Sequence, residues 1–573
     1  MKNLKIDLSA FSRFWAVGKL YWWESPEKWR AIGLLILLIA LVNLESNIKV
    51  TQTKQQGEFV SALANQQTDR FWQAVFTYIV ACILLALTLA GWHYLQDKIR
   101  LYSREWLTKY YLDKYFKNDN FYDINAFNLD IDNPDQRIAE DIKEFCHRSV
   151  HIFTQWTRAI FDIIAFGIVL WSQSKFFVLV LVIYSLVGML ITTVGFGGIL
   201  IPIKKEQLKR EANFRFGLVR IRENFESIAF YHGSEREYNN ITKIFAPVLS
   251  IYNKVITWER NLEVFSNTYR FITWVLPALI IGPKILAGEA EVGLLTVSGG
   301  AFINVFNSLI ILVKMFEYLT NFVAGIERLE SFGNALEEPK GSSTEGRQTI
   351  DTIEDSRLNI EHLTLQTPNY QRTLVKDVSV GVQPGEGLLI VGVSGCGKSS
   401  ILRAIAGLWN SGTGAIYRPK LEEILFLPQR PYMILGSLRD QLLYPRTDLN
   451  ISDEKIYQVL EQVNLPDLAE RFGGLDTIED WDHVLSMGEQ QRVAFARLLL
   501  TQPRYAILDE ATSALDVKNE QSLYKHLQSL STTYISVGHR PTLLQYHHQV
   551  LEVVGDESWR VSSAQDYKFL ASG

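Results

Sequence analysis

Long apolar stretches alternate with long polar ones over more than half of the chain. The apolar ones fall at about 29 to 49, 71 to 95, 151 to 173, 176 to 200, 267 to 288 and 296 to 324. Each is close to the ~20 residues that a helix needs to cross a hydrocarbon core, so the pattern predicts about six spanning helices. Buried core helices do not explain 176 to 200, where almost no charge interrupts the run. The first span is the least regular, because the run from Ala31 to Leu44 is short and stops at Glu45. The polar stretches at about 97 to 150 and 201 to 262 keep helical character, which predicts helices that continue far beyond the membrane.

Further along, the apolar runs shorten to strand length. Gly387-Leu388-Leu389-Ile390-Val391 reads as a buried parallel strand, and Ser400-Ile401-Leu402-Arg403-Ala404-Ile405-Ala406 as the helix after it. Between them stands Gly392-Val393-Ser394-Gly395-Cys396-Gly397-Lys398-Ser399. Gly392 and Gly397 permit a turn tight enough for successive backbone N–H groups to converge on phosphate oxygens. Lys398 adds a point charge, and Ser399 a ligand for magnesium. A glycine-rich turn with a solvated lysine has the same local pattern, but other segments point the same way. The apolar strand Arg504 to Leu508 ends in Asp509 and Glu510, where one carboxylate can hold a metal shell and the other polarise a water. Gln429 follows another apolar strand, placed to reach metal or water. Ser513-Ala514-Leu515-Asp516 and Ser536-Val537-Gly538-His539 add polar contacts.

With Leu485-Ser486-Met487-Gly488-Glu489-Gln490-Gln491-Arg492, the order and spacing of these segments resemble the ATP-binding cassette family: Walker A, Q-loop, signature, Walker B, D-loop and H-loop, over roughly residues 355 to 573. The resemblance implies that Gly392, Ser394, Gly395, Cys396, Gly397, Lys398, Ser399 and Ser400 bind ATP. It implies that Ser399, Gln429 and Asp509 serve Mg2+, that Glu510 is the catalytic base, and that His539 contacts the γ-phosphate and orients that base, with Gln429 beside it. It further implies a head-to-tail dimer, in which Ser486, Gly488, Glu489 and Asp516 of one copy meet nucleotide held by the other. Tyr370, in the turn Leu365 to Tyr370, stands slightly out of register for the aromatic residue that stacks on adenine in many members. An ordinary surface-loop tyrosine is the other reading of it. The signature also departs from the common pattern at Met487 and Glu489.

Composition refines the spanning half. The chain has 573 residues, 47% of them hydrophobic and 12% aromatic, too long for one domain and unusually apolar. Lys98, Arg100, Arg104, Lys109, Lys114 and Lys117 follow the second span, and Lys204, Lys205, Lys209, Arg210, Arg215, Arg220 and Arg222 the fourth; those sides face the cytoplasm. The connection between the first two spans holds only Lys49, Lys54 and Arg70, and the last hairpin is acidic, so those sides face outward. Phe11, Trp15 and Trp22, with Arg13 and Lys19 between them, suit an amphipathic interfacial helix over 1–28. A cleavable leader is not expected there, since the early residues lack an apolar core. Cys82, Cys146 and Cys396 show no paired spacing and predict neither disulfide nor metal site. The formal charge of −5 gives no reason to expect a nucleic-acid partner. Glu337-Glu338-Pro339-Lys340-Gly341-Ser342-Ser343 opens a polar linker. The domain plan is therefore a transmembrane domain over 29–332, a linker over 333–354 and a nucleotide-binding domain over 355–573.

The segment Asp132-Asn133-Pro134-Asp135-Gln136-Arg137-Ile138, Arg222 to Gly233, and the signature together resemble the subfamily D transporters, including bacterial SbmA/BacA-like uptake proteins with a fused cassette. Taken alone, Asn133-Pro134 is an ordinary helix start. The resemblance implies an all-α, six-helix transmembrane domain of the type 1 exporter kind, followed by an α/β P-loop cassette. It implies a homodimer with helices exchanged between halves, in a bacterial plasma membrane with the ATPase in the cytoplasm. Members move very long-chain fatty acyl-CoA, cobalamin or peptides. Arg158, Asp162, Arg270, Asn304, Asn307, Lys314 and Glu317 lie within spans, where charge is costly, so they face a cavity or one another. A wet cavity favours uptake of a polar or amphipathic solute such as cobalamin or a peptide over transport or export of acyl-CoA or lipid. A membrane regulator that uses ATP as a signal is the reading from another class, and Glu510 and His539 argue against it because both serve turnover.

Overall fold

The structure is a computed structural model that describes residues 8–127, 131–337 and 349–568, with the backbone alone at 8–11, 127, 312–321, 323 and 324. It forms two compact units, one built from 1–121 and 129–337, the other from 122–128 and 338–573.

The first unit is helical. Among the described residues, six helices are long and apolar enough to cross a membrane: Lys28–Ala64, Thr68–Ala126, Pro134–Gln173, Lys175–Glu223, Ser234–Leu286 and Gly293–Ile311. The last continues as helix to Glu337. The fifth has 53 residues, roughly 80 Å at 1.5 Å per residue, so its polar half extends well past the bilayer. Leucine, isoleucine and phenylalanine side chains stay exposed along these helices, as at Ile83, Leu87, Leu186 and Leu190, because lipid accepts them as readily as a core does.

Glu45 does not end the first span. The helix runs through it, and Glu45 is fully buried in a chain of alternating charges between the first and third long helices. Arg158 Nη2 and Lys49 Nζ each lie 2.6 Å from Glu45 Oε1. Lys49 Nζ also approaches Asp162 Oδ2 at 3.3 Å, and Ser46 Oγ donates to Asp162 Oδ1 at 2.5 Å. Two acids and two bases thus cancel inside an apolar region, where each alone would cost roughly 2.5 to 3.5 kcal/mol. The sequence pattern counted Lys49 and Lys54 as connection residues; both are inside the helix, and the turn is confined to residues 65–67. Mutual neutralisation is what lets the helix continue.

Arg270 differs. It is exposed, donates to Asn267 Oδ1 on its own helix at 2.9 Å, and lies over the Phe271 ring at 5.6 Å. The Asn304 amide bonds back to Gly300 O. The side chains of Lys314 and Glu317 lie outside the described residues.

The N-terminal helix Leu8–Lys19 is two-sided. Phe14 packs on Phe145 and Phe322, and Arg13 pairs with Glu327 at 2.7 Å. Val17 and Tyr21 are buried, while Trp15 and Trp23 face outward in edge contact. Trp22 packs partly buried on the Leu38, Leu95, Ile99 and Val150 cluster, and the Phe11 side chain is outside the described residues. At Asn133 the backbone is left-handed and the side chain caps nothing; Pro134 opens the helix. Arg137, buried, takes over as the tie, donating to Asp132 Oδ1, Arg328 O and Ser331 Oγ.

The second unit holds two sheets. β1 (Asp351–Glu354), β2 (Leu358–Gln366), β3 (Thr373–Val382) and β5 (Gly412–Arg418) form one, in the order β1-β5-β2-β3. β4 (Gly387–Gly392), β6 (Ile424–Leu427), β7 (Tyr505–Asp509), β8 (Thr533–Val537), β9 (Gln549–Gly555) and β10 (Ser558–Ser563) form the other, in the order β10-β9-β4-β8-β7-β6. In the second sheet every pairing but β9 with β10 is parallel. Residues 387–391 and all of β8 are buried; this is why 387–391 reads as an uninterrupted apolar run, whereas β8 carries Thr533 and Ser536 among its buried residues. One face packs on Ile401, Leu402 and Ile405, the other on a helical core around Phe495, Leu498 and Leu527.

His547 is enclosed by Tyr524 and Tyr534, and its Nδ1 donates to Leu543 O at 2.7 Å. Burial pushes the imidazole down to about 4.

Two outcomes follow from these contacts. Glu45→Gln leaves Arg158 and Lys49 undercompensated and should destabilise the purified protein by about 3 kcal/mol, seen as an earlier melt in detergent; Glu45→Gln with Arg158→Gln should recover most of it. For His547 the folded pKa lies below the ordinary 6.5, so the unfolded chain binds the extra proton first. Stability should therefore fall as pH drops from about 6.5 to about 4, by on the order of 3 kcal/mol, and His547→Leu should remove that part of the slope in a pH series of melts.

Candidate functional site

The parallel strands β4, β6, β7 and β8 all end on one edge, and the chemistry-bearing residues stand on the loops just beyond it. After β4 the chain turns through Gly392, Gly395 and Gly397, all at positive φ, into the helix Lys398–Ile405. At Gly392 this freedom is required: a Cβ there would lie 2.3 Å from Val553 O. Lys398 curls back so that Nζ donates to Gly392 O and Val393 O at 2.8 and 2.9 Å, which holds the ammonium over the loop. Ser394 and Gly395 are exposed at its rim and Ser400 is half-buried on the helix. Cys396 is buried, with its side chain in the apolar core, so only its backbone can serve a phosphate.

Ser399 Oγ donates to Asp509 Oδ1 at 3.1 Å. Burial pushes the Asp509 carboxyl up, against the Ser399 hydrogen bond and with the neighbouring charge of Glu510. A hydroxyl and one carboxylate are hard oxygen donors, a partial shell of the kind that suits Mg2+ completed by phosphate oxygens and water. Among the described residues no three His, Cys, Asp or Glu groups cluster as a self-sufficient metal cage. The residues fit that cation.

Glu510 sits at φ +48°, a conformation that a non-glycine residue keeps only when its surroundings hold it. Its N–H donates to Val537 O at 3.1 Å, its carbonyl accepts from Ser513 N at 3.0 Å, and its Oε2 accepts from Gln429 Nε2 at 2.9 Å. No hydrogen bond links Gln429 to Ser399 or Asp509. His539 is exposed past β8, with no side-chain hydrogen bond among the described residues.

Ser486 and Glu489 form a reciprocal cap on the helix Met487–Thr501. Glu489 Oε2 accepts from Ser486 N and Oγ at 2.8 Å each, and Arg471 Nη2 reaches Glu489 Oε1 at 2.6 Å. Burial pushes Glu489 up, but Arg471 and Ser486 outweigh it and hold the carboxyl below its ordinary value. Glu489 therefore faces its own helix start and Arg471. Gly488 is half-buried beside it, its nearest neighbour across the gap the Ala514 carbonyl. Asp516 caps the next helix, accepting from Asn519 N and Nδ2 at 2.8 Å. Tyr370 is half-buried at φ +57° in the turn joining β2 and β3, with its N–H donating to Thr367 O.

Sequence reading passed over two residues that the fold brings in. Gln491, fully buried, reaches both the Gln429 and the 513–516 loops. Arg540 donates to Leu515 O and Ser513 O, at 2.8 and 3.0 Å, and lies 3.3 Å from the buried Glu520. The one available signal was position: Gln491 lies within the 485–492 segment without a role assigned to it, and Arg540 directly follows His539.

Residues 25–286 match the family described as ABC transporter transmembrane region 2, and residues 375–513 the one described as ABC transporter. An uncharacterized ABC transporter ATP-binding protein of Synechocystis is 42% identical over 93% of this chain and 82% of its own length. The chloroplastic ABC transporter D family member 2 of Arabidopsis thaliana is 35% identical over 97% of this chain and 89% of its own. The human lysosomal cobalamin transporter is 29% identical over 97% of each. Both halves are thus matched in their order along the chain, and the protein belongs to subfamily D of the ABC transporters as a multi-pass, ATP-hydrolysing half-transporter.

Proposed function

We propose that this half-transporter pairs with a second copy of itself and uses ATP to carry a polar or amphipathic solute, of the cobalamin or peptide kind, inward across a bacterial plasma membrane with the cassette on the cytoplasmic side. The arrangement around Glu510 carries the chemical part. Backbone N–H groups of 392–397 and the Lys398 ammonium take the phosphate charge. Ser399 and Asp509 would hold Mg2+, which when bound neutralises developing charge on the phosphates. Glu510, steadied by Gln429, accepts a proton from the attacking water, and His539 swings in from its exposed loop to the γ-phosphate. Ser486, Gly488 and Asp516 lie on the surface of the copy that completes the partner's site, and one Walker A with one signature per chain makes two such sites only in a C2 pair. Tyr370 supplies a ring beside the base.

Two observations support the solute class. The human relative at 29% identity is named a lysosomal cobalamin transporter, and Arg270 stands exposed in a span where, among the described residues, it meets the Asn267 amide and the Phe271 ring but no acid. A cation in a span without a counter-charge is costly in lipid and suits a wet path. Acyl-CoA or lipid export is the rival reading.

Glu510→Gln should keep ATP binding, lower hydrolysis at least a hundredfold and accumulate an ATP-bound dimer, read by phosphate release and by mass in detergent. Near-normal turnover, or an active monomer, would remove the assignment. In liposomes, cobalamin or peptide should stimulate ATPase while acyl-CoA does not, and Arg270→Gln should bring the ratio of stimulated to basal turnover close to one. Stimulation by acyl lipids alone, with no radiolabelled solute accumulating, would favour the rival.

A further inference from the structure

Glu510 belongs to a closed ring of hydrogen bonds that passes through a residue outside the catalytic set. From the Glu510 carboxylate the path runs to Gln429 Nε2 at 2.9 Å. The Gln429 carbonyl accepts from Gln491 Nε2, also at 2.9 Å. Gln491 Oε1 accepts from Ala514 N at 3.0 Å, and its Nε2 also reaches Ser513 Oγ at 3.3 Å. Ser513 N then returns to the Glu510 carbonyl at 3.0 Å. Gln491 is the one member that lies on the helix Met487–Thr501 and touches both loops. It is completely inaccessible to solvent, so water cannot replace the bonds it makes, and losing one leaves a buried backbone group unpaired.

An amide side chain is the group that can do this, because it donates with one end and accepts with the other. A carboxylate of the same shape could keep Ala514 N but would repel the Gln429 carbonyl. A methionine of similar length could keep neither. The ring also explains how Glu510 is held at positive φ: its side chain is fixed from the Gln429 side and its carbonyl from the Ser513 side, and Gln491 sets the distance between the two.

Resting on the reading of Glu510 as the base, we propose that Gln491 is a positioning residue that keeps the Gln429 loop and the 513–516 loop in one register, so that the Glu510 carboxylate is aligned only when both loops move together. Its loss separates them. Nucleotide binding, which uses the 392–399 turn, does not depend on this ring; the hydrolytic step does.

The test uses the full-length protein reconstituted in liposomes. Gln491→Glu should lower kcat at least tenfold while KM for ATP stays within about twofold and the melting temperature within a few degrees, and vanadate trapping of nucleotide should be lost. Should that variant fail to fold, Gln491→Asn keeps the amide but shortens its reach by one methylene, and the same criteria apply. A kcat within twofold of wild type, or kcat and KM worsening together with a lowered melting temperature, overturns the proposal. Glu510→Gln in the same preparation separates this from the function itself: if that variant is inactive while Gln491→Glu turns over normally, only the role of Gln491 fails, whereas turnover in Glu510→Gln removes both.

Discussion

The parallel register of β4 with β8, and of β8 with β7, is the constraint on which the ATP site depends. Parallel strands bring like ends together, so Gly392, Asp509 and Val537 finish on one edge although more than a hundred residues separate the first from the second. Ser399 meets Asp509, and Glu510 N meets Val537 O, as direct results of that alignment. Parallel pairing with both faces covered requires side chains that can be buried on both, and β8 meets this with all five residues buried and Ser536 Oγ accepting from the Tyr524 hydroxyl at 3.1 Å. The site is therefore a product of core packing, and its polar residues need only be the first ones past the strand ends.

A different constraint governs the spanning half. Hydrocarbon offers no partner to a charge, so charges there must cancel one another. The alternating order Arg158, Glu45, Lys49, Asp162 does this across two helices, with Ser46 satisfying the remaining oxygen of Asp162. Polar ties recur where the third and sixth long helices lengthen beyond the apolar stretch: Arg137 with Arg328 O and Ser331, and Arg328 with Asp141 at 2.5 Å. The former sit in hydrocarbon by cancelling, the latter beyond it by ordinary hydrogen bonding. Arg270 has no acid beside it among the described residues, only the Asn267 amide and the Phe271 ring, and for that reason it carries the cargo argument.

In the cassette the loops are tied to one another more tightly than their motifs suggest. Ser486 with Glu489 and Asp516 with Asn519 are helix caps as well as family motif residues, so these side chains are set in place by local backbone needs before any ligand arrives. Gln491 and Arg540 then fix the 513–516 segment from two sides. Such buried bonds are strong because water cannot compete for them.

The sequence by itself determined the elements whose cause is local. Runs of about 20 apolar residues marked the long helices, the apolar run 387–391 marked a buried strand, and the glycines of 392–397 marked a tight turn into a helix, because each follows from periodicity or from backbone freedom confined to a few residues. It did not show that Glu45 and Lys49 are interior, since a charge at the end of an apolar run looks the same whether it meets water or a partner 113 residues away. Nor did it show that the Cys396 side chain turns into the core, that Glu489 faces Arg471, or that Gln491 closes a ring around Glu510. Those relations are set by which side chains the packed sheet and helices bring within about 3 Å, the range of a hydrogen bond, and that distance exists only once the chain has folded.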